Sequence, residues 1–224
     1  MGKLSKVERV APLRDQVAEG LLQALRSGRF LPGERLTEEQ VAEVLGVSRT
    51  PVREAFGVLA QRGILTRRDG GGFSVSKPSL SSLENVFELR RLLEPYAARR
   101  AARQFKGTDL VLLRKAVAKL RTLVPSGSSA AIAEANREIR RILFALCGNP
   151  SLTRAIEENS DHIYLLGMLT MNSKDTRAVV LASHERIFKA LAARNEHAIE
   201  QAVAEYLDAA HHAAISALTS DNQG

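Results

Sequence analysis

The stretch Leu36–Gly63, LTEEQVAEVLGVSRTPVREAFGVLAQRG, restricts what this chain can fold into more than any other. It contains two short helical patterns on either side of a glycine turn. Thr37 stands as N-cap with Gln40 three residues on, a capping-box spacing. Val41, Val44 and Leu45 then form the side to be buried, Gly46 stops the helix, and Val47 plugs the turn. Ser48 caps the second helix, where Pro51 is tolerated because the first turn has spare N–H groups. Val52, Ala55, Phe56 and Leu59 face inward, while Arg49, Thr50 and Arg53 fall on the opposite side. That order is a helix-turn-helix, whose second helix enters the DNA major groove with its N-terminal residues at the base edges. Arg pairs bidentately with guanine, and Ser and Thr reach phosphate or base. Two cations at a helix start would be ordinary in any bundle. The succession of capped helix, glycine turn and capped helix separates the two readings.

The flanks extend the pattern. Leu13, Val17, Leu21 and Leu25 recur every four residues in PLRDQVAEGLLQALR and predict an amphipathic helix over 12–26, stopped by Gly28. Pro32-Gly33 marks a turn before the second helix. After Gly63, ILTRRDGGGFSVS reads as a hairpin, with Ile64–Thr66 outgoing and Phe73–Val75 returning. A hairpin there is a wing. Arg67 and Arg68 are placed to meet phosphate, and Gly70 with its neighbours lets backbone approach DNA closely, unless the glycines are simply a loose loop.

Composition agrees with a helical, DNA-directed chain. Apolar residues make up 45% of the 224, enough for real cores, and aromatic residues only 4%. The net charge of +7 suits a polyanionic partner without requiring one. Residues 1–77 hold 13 Lys and Arg against nine Asp and Glu, so the charge is concentrated where the helix-turn-helix lies. One cysteine, Cys147, permits no intrachain disulfide and sits in an apolar run as core filler. MGKLSKVERV lacks an apolar signal core, and the apolar run 163–169 is too short for a membrane span. A cytoplasmic protein with no membrane partner is expected.

The segments PGERL and GVSRTPVREA, within LRDQVAEGLLQALRSGRFLPGERLTEEQVAEVLGVSRTPVREAFGVLAQRGIL, resemble the winged-helix domain of the GntR family of bacterial transcription regulators. The resemblance covers about the first third of the chain. It implies DNA contacts from Arg35, Ser48, Arg49, Thr50, Arg53 and the wing near Gly70. Phe56-Gly57 departs from the family's usual Leu and larger polar residue, at some cost in helix propensity.

Lys77-Pro78-Ser79 reads as a short linker, dividing the chain into residues 1–77 and 78–224. Beyond it no strand pattern or repeat occurs. Helices are predicted over about Ser82–Gln104, Asp109–Val124, Ala130–Cys147, Ser151–Leu169, Thr176–Arg194 and Glu196–Leu218. In the first of these Leu83, Val86, Leu89, Leu92, Leu93 and Tyr96 form the inner stripe. The expected fold is mostly α: an N-terminal winged helix-turn-helix with a small β-hairpin wing, then an antiparallel all-helical bundle.

FELRRLLEPYAARRAA, FALCGNPSL and SHERIFKALAARNEHAIEQAV resemble the ligand-binding domain of the FadR-type branch of the same family. That resemblance implies a helical bundle around a cavity, where several members bind a divalent metal through one Asp and three His. The matching positions here are Asn136, Arg140, His184 and Tyr206, so one ligand of the four survives. Asn is a poor ligand and Arg is none. No metal and no other cofactor is expected. His162, His197, His211 and His212 are spare histidines, and none stands four residues from His184. Asn136 and Arg140 share a helix face. Arg140 either clamps an anionic effector in the metal's place or pairs with an internal acid in a vestigial cavity. The family's ELR segment points Arg90 into the cavity and leaves Arg91 to solvent.

The chain is therefore expected to be a sequence-specific DNA-binding repressor, not an enzyme. It would hold a double-stranded operator as a homodimer and answer to a small anionic effector through Arg90, Asn136, Arg140, His184 and Tyr206. No nucleophile–base pair or phosphate loop supports catalysis. A nonspecific architectural DNA binder is the other reading that the basic charge permits.

Overall fold

A computed structural model describes residues 12–221, the side chain of residue 221 excepted. The chain divides between Ser76 and Lys77 into two compact units. The first unit is built on α1 (Leu13–Arg26), whose Val17, Ala18, Leu21, Leu22 and Leu25 are buried. Leu13 belongs to the same periodicity but is 48% exposed at the open end of the helix. There follow β1 (Arg35–Leu36), α2 (Glu38–Leu45), α3 (Arg49–Gln61), β2 (Leu65–Arg67) and β3 (Phe73–Val75).

β1 carries no signal in the sequence, because two residues cannot display a period of two. It exists because the Pro32-Gly33 turn delivers it to the hairpin. Gly33 adopts a φ of 87° and donates its N–H to the carbonyl of Val75 at 2.8 Å. The sheet order is β1-β3-β2, all antiparallel, with Arg35 opposite Ser74 and Thr66 on the other side of Ser74. Phe56 of α3 is fully buried and meets Phe73 of β3 edge to face, with ring centroids 5.1 Å apart.

Two expectations for the helix-turn-helix are corrected. Val44 is 63% and Leu45 41% exposed, so α2 buries only Val41 and Ala42. An eight-residue helix turns too few side chains toward α3 to bury a wider stripe. Ser48 occupies the N-cap position of α3 but makes no side-chain cap bond. An N-cap hydroxyl bonds the N–H of the second or third helical residue, and the third is Pro51, which has none.

Among the described residues the second unit is all helix: α4 (Leu80–Gln104), α5 (Gly107–Leu123), α6 (Ser129–Ala145), α7 (Pro150–Glu157), α8 (Ser160–Thr170), α9 (Lys174–Ala192) and α10 (Glu196–Asp221). The single helix expected over 151–169 is two. The break falls at Asn159, whose side-chain amide donates to the carbonyl of Ala155 at 3.3 Å, a local bond that competes with helix continuation. α10 lies against α4 and α9, and α6 against α5 and α8. Small residues allow these approaches. Ala97, Ala98, Ala101 and Ala102 are all buried on α4. Gly167 of α8 stands so near α6 that a Cβ there would lie 3.1 Å from that of Ala133.

The stripe assigned to α4 is also corrected. Its buried face is Leu83, Phe87, Arg90, Glu94, Ala97 and Ala98. Of the residues chosen by periodicity, Leu83 is buried and Leu93 packs against the core, but Leu92 is 69% exposed, Tyr96 42% and Leu89 36%, so these three line the outer side. Two charged residues occupy the inner side because they satisfy each other there.

Phe56→Ala tests how far the first unit depends on its aromatic pair. It should lose about 3–5 kcal/mol of stability, read as a lower urea midpoint by circular dichroism. A loss under about 1 kcal/mol would mean that the site collapses around the deletion.

Candidate nucleic-acid interface and buried charge cluster

In the first unit the residues named for DNA contact are brought to one kind of environment. Arg35, Ser48, Arg49, Thr50, Arg53, Arg67, Arg68 and Gly70 are all exposed. Arg35 leaves β1, next to the wing: a Cβ placed on Gly72 would lie 3.9 Å from Arg35 Nε. Gly70, Gly71 and Gly72 have φ of 86°, 96° and 83°, values that disfavour any side chain, so the wing tip presents bare backbone. The turn is closed by Arg68 N–H donating to Gly72 O at 3.1 Å and Gly71 N–H to Arg68 O at 3.2 Å. Arg67 lies over the Phe73 ring at 5.3 Å, which holds its stem against the sheet. Ser48, uncapped, leaves its hydroxyl unspent at the start of α3.

One residue on this side was not singled out by sequence. Glu38, in the first turn of α2, accepts three hydrogen bonds from Arg53: Nε to each carboxylate oxygen at 3.1 Å, and Nη2 to Oε2 at 3.0 Å. That bonding, with the further charges of Arg49 and Arg67, holds the Glu38 carboxyl below its ordinary range.

In the second unit the five residues named for an effector converge. Arg90 is 4% exposed, Asn136 6%, Arg140 3%, His184 1% and Tyr206 3%. A sixth residue joins them. Glu94, 1% exposed, accepts from Arg90 Nε at 2.7 Å and from Arg140 Nη2 at 2.6 Å, both on Oε1. Arg140 therefore pairs with an internal acid, and its Nε is left outside that pair. The signal for Glu94 was present in the sequence: it stands four residues after Arg90, the spacing of a helical ion pair. Asn136 Oδ1 accepts from Tyr206 Oη at 3.1 Å and lies 2.6 Å from His184 Nε2, which donates to it. The rings of His184 and Tyr206 stand 5.1 Å apart.

The charges here do not cancel. Burial alone would raise the Glu94 carboxyl, but Arg140 and Arg90 outweigh it and hold it below the ordinary range. His184 is driven down to about 3 by burial first and then by the Arg140 charge, so it is neutral at pH 7. Two guanidinium cations thus share one carboxylate, leaving a buried excess of one positive charge. Arg140 Nε and His184 Nδ1 are buried with no hydrogen-bond partner. A cavity of about 30 Å³, the size for a water molecule, adjoins Arg90, Asn136 and Tyr206.

The same geometry does not fit a divalent cation. Arg140 puts a guanidinium where a ligand would stand, and the His184 nitrogen facing Asn136 is occupied as a donor. Among the described residues no three His, Cys, Asp or Glu side chains are grouped to hold a metal ion. Nor is any described helix long and apolar enough to cross a membrane.

Comparison with known proteins gives two family matches. Residues 13–75 match the model of bacterial regulatory proteins of the gntR family, and residues 85–209 match the FCD domain. A protein of Paenarthrobacter nicotinovorans, described as a probable D-xylose utilization operon transcriptional repressor, is 32% identical, over 88% of each chain. The HTH-type transcriptional repressor RspR of Escherichia coli strain K12 is 26% identical over 88% of this chain and 86% of its own. Among solved structures, E. coli McbR/YncC has the same fold with a TM-score of 0.79 at 24% identity, covering 95% of this chain and 100% of that one.

Two predictions follow from the cluster. Glu94→Ala leaves two buried guanidinium groups without their carboxylate and should cost about 3–5 kcal/mol, measured by chemical denaturation; a neutral result would mean that solvent reaches them. For His184, the unfolded chain binds a proton below about 6.5, and the folded one does not until about 3. The stability due to neutral His184 is therefore complete above pH 6.5 and falls as pH drops toward 3, by up to about 1.4 kcal/mol per pH unit. Denaturation midpoints between pH 7 and 5 should show this slope, and His184→Gln should flatten it.

Proposed function

Because the chain belongs to the GntR family of bacterial transcription regulators, with an FCD ligand-binding domain, we propose that it is a repressor whose homodimer holds a pseudo-palindromic operator until an anionic metabolite enters the helical unit. Family and relatives are regulators of transcription rather than enzymes. The observation that carries the reading is the exposed set on the winged helix. Arg49, Thr50 and Arg53 start the helix that enters the major groove and read base edges. Arg35, Ser48, Arg67, Arg68 and the backbone at Gly70 hold phosphates.

The homodimer is supported by the outward stripe of α4. Leu89, Leu92 and Tyr96 lie at helical spacing and are exposed, a face apolar enough to meet its own copy across a two-fold axis. Operator and subunit symmetry would then match. The protein works in the cytoplasm, on the chromosome. The effector site is formed by Arg90, Asn136, Arg140, His184 and Tyr206 and uses no metal. Its positive excess and the unpartnered Arg140 Nε suit a carboxylate or phosphate, which arginine grips bidentately. Since the cavity is only about 30 Å³, the effector opens it on entry, and that movement couples the site to DNA affinity.

The test begins with duplexes selected by the full-length protein from a random library. Arg49→Ala should weaken the selected duplex by roughly 5- to 150-fold and a scrambled duplex much less. Equal loss on both would reduce Arg49 to a phosphate contact. A thermal-shift screen of small carboxylates and phosphates, with and without chelator, then addresses the effector. The expected ligand raises the melting temperature equally in both arms and releases the selected duplex. Stabilisation abolished by chelator would overturn the metal-free site.

A further inference from the structure

We propose that Glu38 is a positioning residue for operator reading: its carboxylate holds the Arg53 guanidinium from the side, so that the free end of the fork is aimed at a guanine edge. The inference rests on Arg53 being a base reader, as proposed above. It begins from an oddity. A surface that must meet phosphates carries a carboxylate, and a carboxylate there repels DNA. Glu38 is not at the margin of that surface, since it interacts with Arg49, Arg53 and Arg67. An exposed ion pair adds little to the stability of a fold, so stability is a weak reason for an acid among these arginines.

Geometry supplies a better one. The three bonds between the residues use only Nε and Nη2 of Arg53, and Nη1 takes no part in them. A guanidinium gripped along that edge still has three N–H groups, two on Nη1 and one on Nη2, and one from each nitrogen points forward as a pair of donors. Guanine offers a matching pair of acceptors, O6 and N7, in the major groove. Burial agrees with the direction. The Glu38 side chain is 17% exposed and that of Arg53 68%, so the carboxylate lies beneath and the guanidinium above. The two stand on different helices, Glu38 in the first turn of α2 and Arg53 in α3, so the pair also ties the side chain to the rigid frame of the helix-turn-helix. Fixing a long side chain before DNA arrives removes part of the ordering cost from binding.

The experiment compares the wild type, Glu38→Gln, Arg53→Ala and the double variant. Each is measured on a library-selected duplex and on a scrambled duplex, with full-length protein. Removing one negative charge from the DNA side should leave binding to the scrambled duplex unchanged or tighter. Losing the positioning should weaken the selected duplex about tenfold. Preference between the two duplexes therefore falls, a divergence between the two DNAs that mere damage to the fold cannot produce. On the Arg53→Ala background, Glu38→Gln should alter preference less than twofold, because the residue acts through Arg53. Glu38→Gln that tightens the selected duplex would make Glu38 a competitor of DNA for Arg53 and overturn the proposal. Unchanged preference, or equal weakening on both DNAs with a lower melting temperature, would overturn it as well. If Arg53→Ala itself leaves preference intact, Arg53 is no base reader and the premise falls with the inference. If Arg53→Ala lowers preference while Glu38→Gln does not, only the positioning role is lost.

Discussion

A single carboxylate oxygen, Glu94 Oε1, receives two arginines in the middle of the helical unit, at 2.7 and 2.6 Å. Removing three charged groups from water is costly, and their mutual attraction repays the cost only when the geometry is close. That requirement fixes the arrangement around it. Arg90 and Glu94 must share the inner face of α4, Arg140 must project from α6, and the two helices must stay in register. The hydrogen bonds of Asn136 extend the demand to α9 through His184 and to α10 through Tyr206. An apolar cluster of equal volume would serve stability as well or better. The polar cluster adds what an apolar one lacks, a directed positive charge in a closed space.

How much of this was legible in the sequence depends on the length over which a signal repeats. α1, α3 and the long bundle helices show several turns of periodicity, and their inner residues at Val17, Leu21, Val52, Phe56 and Leu59 are buried. β1 has two residues, too few to show a period, and the Pro32-Gly33 turn beside it reads only as a turn. α4 misled for a physical reason. Periodicity assigns apolar residues inward, yet a mutually neutralising pair can take the inner face and push Leu89 and Leu92 out. The five residues proposed for an effector do gather, and Glu94 joins them with no mark in the sequence beyond its spacing of four from Arg90. Glu38 was hidden likewise, since its partner is fifteen residues away and only the turn brings them together.

The two units handle charge in opposite ways. In the helical unit polar groups are closed off from water, so each bond is strong and each missing partner expensive. On the winged helix the cations stand in solvent, where salt screens them and no single pair matters to the fold. A core cluster can thus favour one helix arrangement over another, while an exposed set can exchange water and counterions for phosphate without disturbing the scaffold.

The start of α3 carries one more consequence. Ser48 sits at the cap position with its hydroxyl uncommitted, and Pro51 cannot supply the amide that such a hydroxyl ordinarily accepts from. The amides of Arg49 and Thr50 belong to the same unfinished turn. A phosphate oxygen set against them would supply the missing end of the helix, so the nucleic acid would become part of the secondary structure that reads it. The helix is then most complete when it is bound, and its first turn would exchange its amide hydrogens more slowly on DNA than off it.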